Sequence, residues 1–417
     1  MKTRVTCRVC DGSLESILTL GDQFVSDFIN PGESDGLKAP LEIVLCERCR
    51  LLQLKHTVPA ENMYSNYWYR SGTNKTMRDA LGDVAHKSEQ LIHLREGDSV
   101  LDIGCNDGTL LHAYRTCGLF KIGIDPAKNM AQFSIKVADK VITDFFTAEN
   151  YNNNAELDKR SPKIVTSIAM FYDLEDPRKF VSDVKEVMDP DGLWIVQLSY
   201  LPLMLKTNEV GNICHEHLEY YSMQSIEYLI SMFDMEVVDM ELNDINGGSI
   251  RVYIRHKNSN KNLFGDATYR ELAFYRVRAF REAESLMGLD CLEPYLEFAE
   301  RVDRIKKDVV AFIQDHVKQG EEVYVYGAST KGNTLLQYFG LDNNLITAAA
   351  ERNSDKWGKV TVGTHIPIIS EEEARAANPD YFLVLPWHFL EEFKIREKAY
   401  LRAGGRFIVP MPHFTLI

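Results

Sequence analysis

The sequence predicts an α/β protein in three successive parts: a small N-terminal zinc-binding module, a central domain on a mostly parallel sheet, and a smaller C-terminal α/β domain. Three observations lead there. Four of the eight cysteines fall in two Cys-x-x-Cys pairs within the first 49 residues. Two separate tracts alternate apolar strand-like runs with helical stretches, the pattern of βαβ units. A long amphipathic stretch lies between those tracts. At roughly 150 residues per domain, a chain of 417 residues has room for two or three.

Residues 1–72 are rich in turns and short strands, and Leu41–Leu45 alternates like a half-buried strand. Residues 73–257 form the central domain, opening with a helical stretch over 73–96. Its expected strands are Val100–Ile103, Lys121–Ile124, Lys140–Ile142, Ile164–Ile168, Leu193–Leu198 and Ser249–Ile254. Residues 258–319 are a helical connection, with Tyr295, Phe298, Val302, Ile305, Val309 and Phe312 recurring at three and four residues. Alternation resumes over 320–417, with strands at Val323–Tyr326, Ile346–Ala350, Tyr381–Leu385 and Arg406–Val409.

The formal net charge is −14, with 45% hydrophobic and 26% charged residues. That composition excludes wholesale disorder, and the acidic balance argues against a nucleic-acid partner. The N-terminus has no apolar leader core, and no run of 18 apolar residues is long enough to span a membrane. A cytoplasmic protein is expected, and the oligomeric state, a monomer included, is left unspecified.

Cys7-x-x-Cys10 and Cys46-x-x-Cys49 are separated by 35 residues. Each pair can offer two thiolates from one tight knuckle, and two knuckles complete a tetrahedral Zn²⁺ site. With all four positions filled by protein, the metal is structural.

The first strand of the central domain carries an acid, Asp102, and runs into Gly104-Cys105-Asn106-Asp107-Gly108. Gly104 lets the backbone approach a ligand, and Gly108 lets the helix pack closely. The second strand ends at Asp125, where a carboxylate suits a ribose diol. Asp144 and Phe145 follow the third strand and suit an adenine. Asn106 breaks the G-x-G-x-x-G pattern of dinucleotide enzymes. The segment Cys214-His215-Glu216-His217-Leu218-Glu219-Tyr220-Tyr221 concentrates acid–base groups beyond the fifth strand, at the edge where α/β ligands bind. In the C-terminal domain, Gly327–Asn333 has a glycine turn without the P-loop lysine position, so ATP hydrolysis is not expected. Lys331, Asn333, Glu351, Arg352 and Lys356 sit at the same strand edge, a place for a substrate's pyrophosphate. Gln197, on the fifth strand, joins the expected substrate-binding set.

Residues 102–108 resemble the first motif of the class I S-adenosylmethionine-dependent methyltransferases, whose central fold is Rossmann-like. The resemblance implies S-adenosylmethionine as cofactor, held by Asp102, Gly104, Asn106, Gly108, Asp125, Asp144 and Phe145, with S-adenosylhomocysteine as product. Nearly the whole chain looks like the sugar C-methyltransferases that act on nucleotide-linked 4-keto-deoxyhexoses. The features that agree, in order, are the cysteine pairs, Tyr67–Gly72, the methyltransferase core, the His-Glu-His run and Gly327–Asn333. This implies a nucleotide-diphosphate-linked keto-deoxysugar as substrate and His217 as the base that takes a C3 proton. Glu216 is implied as a carboxylate at the substrate or cofactor site, while Tyr67, Tyr69 or His215 would steady the enolate. Where some relatives carry a histidine and a tyrosine, this chain has Asp173 and Cys214. An unperturbed histidine base would make turnover fall below about pH 6.5. O- or N-methylation of another small metabolite stays open at this point.

Overall fold

A computed structural model describes residues 1–60, 63, 70–259 and 265–417. The N-terminal part carries β1 (Lys2–Thr3), β2 (Leu14–Phe24), β3 (Phe28–Ile29), β4 (Lys38–Cys46), β5 (Leu52–Leu54) and β6 (His56–Thr57). Each cysteine pair closes as a knuckle, with Asp11 (φ 56°) and Arg50 (φ 57°) in the left-handed region just after the second cysteine. The closing bonds match: Cys7 N–H donates to Gly12 O and Cys46 N–H to Leu51 O, both at 3.0 Å.

The central domain adds β7 (Ser99–Ile103), β8 (Phe120–Ile124), β9 (Lys140–Ile142), β10 (Ile164–Ile168), β11 (Leu193–Ser199), β12 (Glu219–Tyr220), β13 (Met235–Asn243) and β14 (Ser249–His256). Seven of these form one sheet in the order β13-β14-β11-β10-β7-β8-β9. β11, β10, β7, β8 and β9 run parallel, and β14 and β13 close the other edge antiparallel. β7 is buried along its whole length, as a strand covered on both faces must be. The strand order reverses at β7, whose carboxyl end therefore opens onto the crevice where α/β ligands bind. β13 was not anticipated: its run MEVVDMELN holds three acids, which hides a strand. One of them, Asp239, is buried because Arg276 pairs with it at 2.6 Å.

The helical connection is two helices, Ala267–Leu286 and Glu293–Lys318. The second buries Tyr295, Phe298, Val302, Ile305, Val309 and Ile313. Phe312 is only partly covered, lying against Tyr381 and Phe414. The C-terminal domain has β15 (Val323–Tyr326), β16 (Ala349–Glu351), β17 (Val360–Thr361), β18 (Ile368–Ser370), β19 (Tyr381–Val384), β20 (Arg406–Val409) and β21 (Thr415–Leu416). Its sheet runs β18-β16-β15-β19-β20-β21, parallel except for β21.

The three parts interlock. β12, from the central domain, joins the zinc module's sheet in the order β12-β5-β4-β2. β3 of the zinc module pairs with β17 of the C-terminal domain. One apolar core contains Ile17 and Leu41 of the first part, Ile213 and Leu218 of the second, Phe298 of the connecting helix and Leu383 of the third. Among the described residues, no helix is long and apolar enough to cross a membrane.

Candidate active site

The four cysteine sulfurs of the knuckles are buried and lie within 4.8 Å of one another, with Cys7–Cys49 at 3.5 Å and Cys10–Cys46 at 3.3 Å. Zn–S bonds of about 2.3 Å in a tetrahedron set sulfurs about 3.8 Å apart, so this set fits the ion. Backbone N–H groups of Val9 and Arg48 and the side-chain amide of Gln53 point at the sulfurs, as thiolates require. Arg8, inside the first knuckle, is wholly buried. It donates to Gln53 Oε1 and Leu54 O and faces Glu219 of β12 at 3.5 Å. Burial drives the Glu219 carboxyl upward against the pull of Arg8.

A cavity of about 520 Å³ opens at the carboxyl end of β7. Its lining includes Asp102, Gly104, Asn106, Asp125, Asp144 and Phe145, six of the seven residues expected to hold the cofactor. Gly108 supports them from outside: it has φ 80°, and a Cβ there would lie 2.4 Å from Val137. Asp125 accepts from the N–H groups of Asn106 and Ala127, both at 2.8 Å, which fixes its carboxylate at the turn with lone pairs to spare for a diol. Asp102 accepts from Thr166 Oγ1 at 2.6 Å, and burial pushes its carboxyl up to about 7. The turn is also gripped from above, because Ser71 N–H donates to Asn106 Oδ1 and Gly72 N–H to Asp107 Oδ2. Asp107 was missed in the sequence, although it sits between two residues singled out there. The donors and the volume suit S-adenosylmethionine.

The same cavity is lined by Glu216, His217, Asp173, Asn246, Thr330 and Lys331. His217 Nδ1 donates to Asn212 O at 2.9 Å, which leaves Nε2 as the acceptor nitrogen. Burial, and then the charge of Lys331, pull the His217 conjugate acid down to about 3. The imidazole is therefore neutral at neutral pH, its conjugate acid held well below the value of about 6.5 expected of an unperturbed histidine. Burial lifts Glu216 to about 7 against the same lysine. Lys331 Nζ donates to Asn212 Oδ1. Asn212 lies two residues before the segment that the sequence singles out.

Several expected site residues do not line this cavity. His215 turns to the zinc module, where Nε2 meets Ala39 O at 3.0 Å. Gln197 is buried under Arg251 and Asn243, accepting from both. Glu351 accepts the N–H groups of Ala328, Arg352 and Asn353, Lys356 donates to Ala328 O, and Asn333 donates to Asp27 O. Arg352 is exposed, 3.8 Å from Glu392. Of the six residues expected to bind substrate, Lys331 alone lines the described cavity. Tyr67 and Tyr69 lie outside the described residues.

The acid-bearing strand, the glycine turn, the acid at the end of β8 and the cavity between them define a class I S-adenosylmethionine-dependent methyltransferase with a structural zinc module. Family models agree part by part: a putative zinc binding domain over 7–64, a methyltransferase domain over 72–240 and a C-methyltransferase C-terminal domain over 244–412. The chain is 30% identical over 415 residues to C-methyltransferase NovU of Streptomyces niveus, spanning 99% of this chain and 96% of that protein. It belongs to this family of zinc-module C-methyltransferases. Two solved structures resemble less than half of the chain. One is a chain from the complex of the Haloferax volcanii Trm112 methyltransferase activator with a methyltransferase (18% identity, 44% of this chain, 94% of that one, TM-score 0.36). Another is the plantazolicin methyltransferase BpumL (12% identity, 43% of this chain, 84% of that one, TM-score 0.34).

Proposed function

We propose that this C-methyltransferase methylates C3 of a nucleotide-linked 4-keto-deoxyhexose in deoxysugar biosynthesis, through an enolate formed by His217. The observation that carries the reading is the placement of a neutral imidazole, Nε2 unengaged by its Asn212 bond, in one cavity with the cofactor acid Asp125. Carbon is a poor nucleophile until a proton next to a carbonyl is removed. His217 takes that proton, and its Nδ1–H bond to Asn212 O holds the ring in the tautomer that can. S-adenosylmethionine, held at Asp125, supplies an electrophilic methyl group on sulfonium. Residues of both the central and C-terminal domains line the one cavity, which fixes the approach of the two substrates. The same reading expects a reducing compartment such as the cytoplasm, where thiolates such as Cys7 and Cys10 stay reduced.

A panel of dTDP-, GDP- and UDP-linked 4-keto sugars with S-adenosylmethionine, read by mass spectrometry, tests the reading. One keto sugar should gain a single methyl on carbon, and deuterium should wash into C3 from solvent. Methyl gain on oxygen or nitrogen without exchange at C3 would replace it with heteroatom methylation.

A further inference from the structure

We propose that Lys331, delivered from the C-terminal domain, is the catalytic residue that receives the negative charge of the enolate oxygen. This rests on the reading above, that a carbon beside a ketone is deprotonated. The geometry comes from Asn212. Its side-chain Oδ1 takes Lys331 Nζ, and its backbone oxygen takes His217 Nδ1–H. Cation and base are thus held by two oxygens of one residue, so their separation is set by the covalent reach of an asparagine. Both line the same cavity, with Glu216 beside them. Lys331 also sits in the first turn of the helix Thr330–Phe339, whose amino end adds partial positive charge.

A role for Lys331 as a phosphate holder fits less well. A phosphate at the Gly327 turn needs free backbone N–H groups. There Gly327 N–H donates to Ala350 O at 2.8 Å, Ala328 N–H to Glu351 Oε2 at 3.0 Å, and Gly332 N–H to Ser329 Oγ at 3.0 Å. The Glu351 carboxylate already occupies the place an anion would take. Lys331, by contrast, is bonded to Asn212, the residue that also holds the base.

The chemistry also asks for a cation here. Burial and Lys331 make His217 a weak base, and a weak base removes a carbon-bound proton only if the carbonyl is strongly polarised. The proton passes from C3 to His217 Nε2. The C3–H electron pair becomes the C3–C4 π bond, and the carbonyl π pair moves onto O4 beside Lys331 Nζ. The same electrons then return through C3 to form the new C–C bond, while the S–CH₃ pair stays on sulfur.

Lys331→Met and Lys331→Gln, compared with the parent, test this. In both, kcat and the rate of C3 exchange should fall about 10²–10³-fold, the usual loss for one oxyanion donor. KM for the keto sugar should change less than about threefold, and S-adenosylmethionine affinity should hold. Removing the cation should also move the acid limb of exchange to higher pH, because the lysine lowers the His217 conjugate acid. Lys331→Arg should recover part of the rate. A raised KM with unchanged kcat would make Lys331 a substrate holder, and unchanged exchange in a folded variant would make it structural; either overturns the proposal. No C3 exchange in the parent would instead overturn the enolate reading. If Lys331→Met fails to fold, Lys331→Gln, polar and uncharged, decides by the same readouts.

Discussion

Two glycine turns in this chain share a plan and differ in use. In the central domain, β7 leads into Gly104 and β8 ends at Asp125, which takes the turn's Asn106 N–H. In the C-terminal domain, β15 leads into Gly327 and β16 ends at Glu351, which takes the turn's Ala328 N–H. The plan is shared, with an acid bonded across to the turn in each, although the bonded N–H lies two residues after the glycine in the first turn and one after it in the second. The first turn lines the cavity; in the second, Gly327, Ala328 and Ser329 do not, and Pro386 lies where a Gly327 Cβ would come within 3.0 Å of it. Two residues before Gly104 stands Asp102, while two residues before Gly327 stands Val325. A strand–turn–helix with an acid opposite is therefore a scaffold, and a ligand site arises where the next layer leaves space. From the second turn, Lys331 reaches into the site of the first.

The largest expected effect tests whether the first turn's site stands without the zinc module. Because β12, just after His217, pairs with β5 of that module, Cys7→Ser should cost stability and activity together. Structural zinc contributes about 10–16 kcal/mol in small peptides, so partial unfolding of residues 1–60 is expected by circular dichroism. Bound zinc should be near one per chain by metal analysis. A zinc-free variant that keeps the parental rate would separate the module from catalysis.

Next is the base. His217→Ala should lower methyl transfer by about 10²–10⁴-fold, with binding of both substrates retained by calorimetry. His215→Ala should leave C3 exchange near the parental rate, because its ring bonds to Ala39 O outside the cavity. Equal losses in the two variants would contradict that assignment.

Asp102 marks the difference between the turns, and pH exposes it. In the folded protein burial holds its proton up to about pH 7, whereas an unfolded aspartate loses it near 3.9. Between those values the folded state binds more protons, so this group's contribution to stability falls as pH rises. Asp102→Asn removes that loss. Its unfolding free energy, from urea titrations, should drop less between pH 5 and pH 8 than the parent's, by roughly 1–4 kcal/mol at 1.36 kcal/mol per unit. Parallel pH curves would mean that Asp102 is not held protonated.

The sequence carried the local features and missed the long-range ones. Cysteine spacing, the β7 turn and Asp125 are written within short windows, where a knuckle or a strand–turn–helix is decided by neighbouring residues. The pairing of β12 with β5 joins segments more than 160 residues apart, and nothing local in Glu219-Tyr220 signals it. His215 and His217 look equivalent in sequence, but one bonds to Ala39 O and the other to Asn212 O. Glu351, Lys356 and Asn333 carry the residue types of a phosphate site, yet each is taken by the domain's own backbone or the zinc module. Residue type at a strand edge sets what a side chain can do; tertiary partners decide whether it is free to do it.

The smallest effect addresses the two acids themselves. Asp125→Ala should weaken S-adenosylmethionine binding by roughly 1–3 kcal/mol, the value of hydrogen bonds to a charged group. Glu351→Ala should leave that affinity unchanged. Its three bonds run to Ala328, Arg352 and Asn353 N–H groups, so its loss should appear as lower stability, about 1–3 kcal/mol, chiefly from the buried Ala328 donor left without an acceptor. Calorimetry with S-adenosylmethionine and urea unfolding on both variants give a two-by-two result. Affinity lost only at Asp125 and stability lost at Glu351 would fit one turn that binds and one that braces. Weaker binding of the nucleotide sugar in Glu351→Ala, at parental stability, would instead make the second turn a ligand site, with the carboxylate holding its empty form in shape.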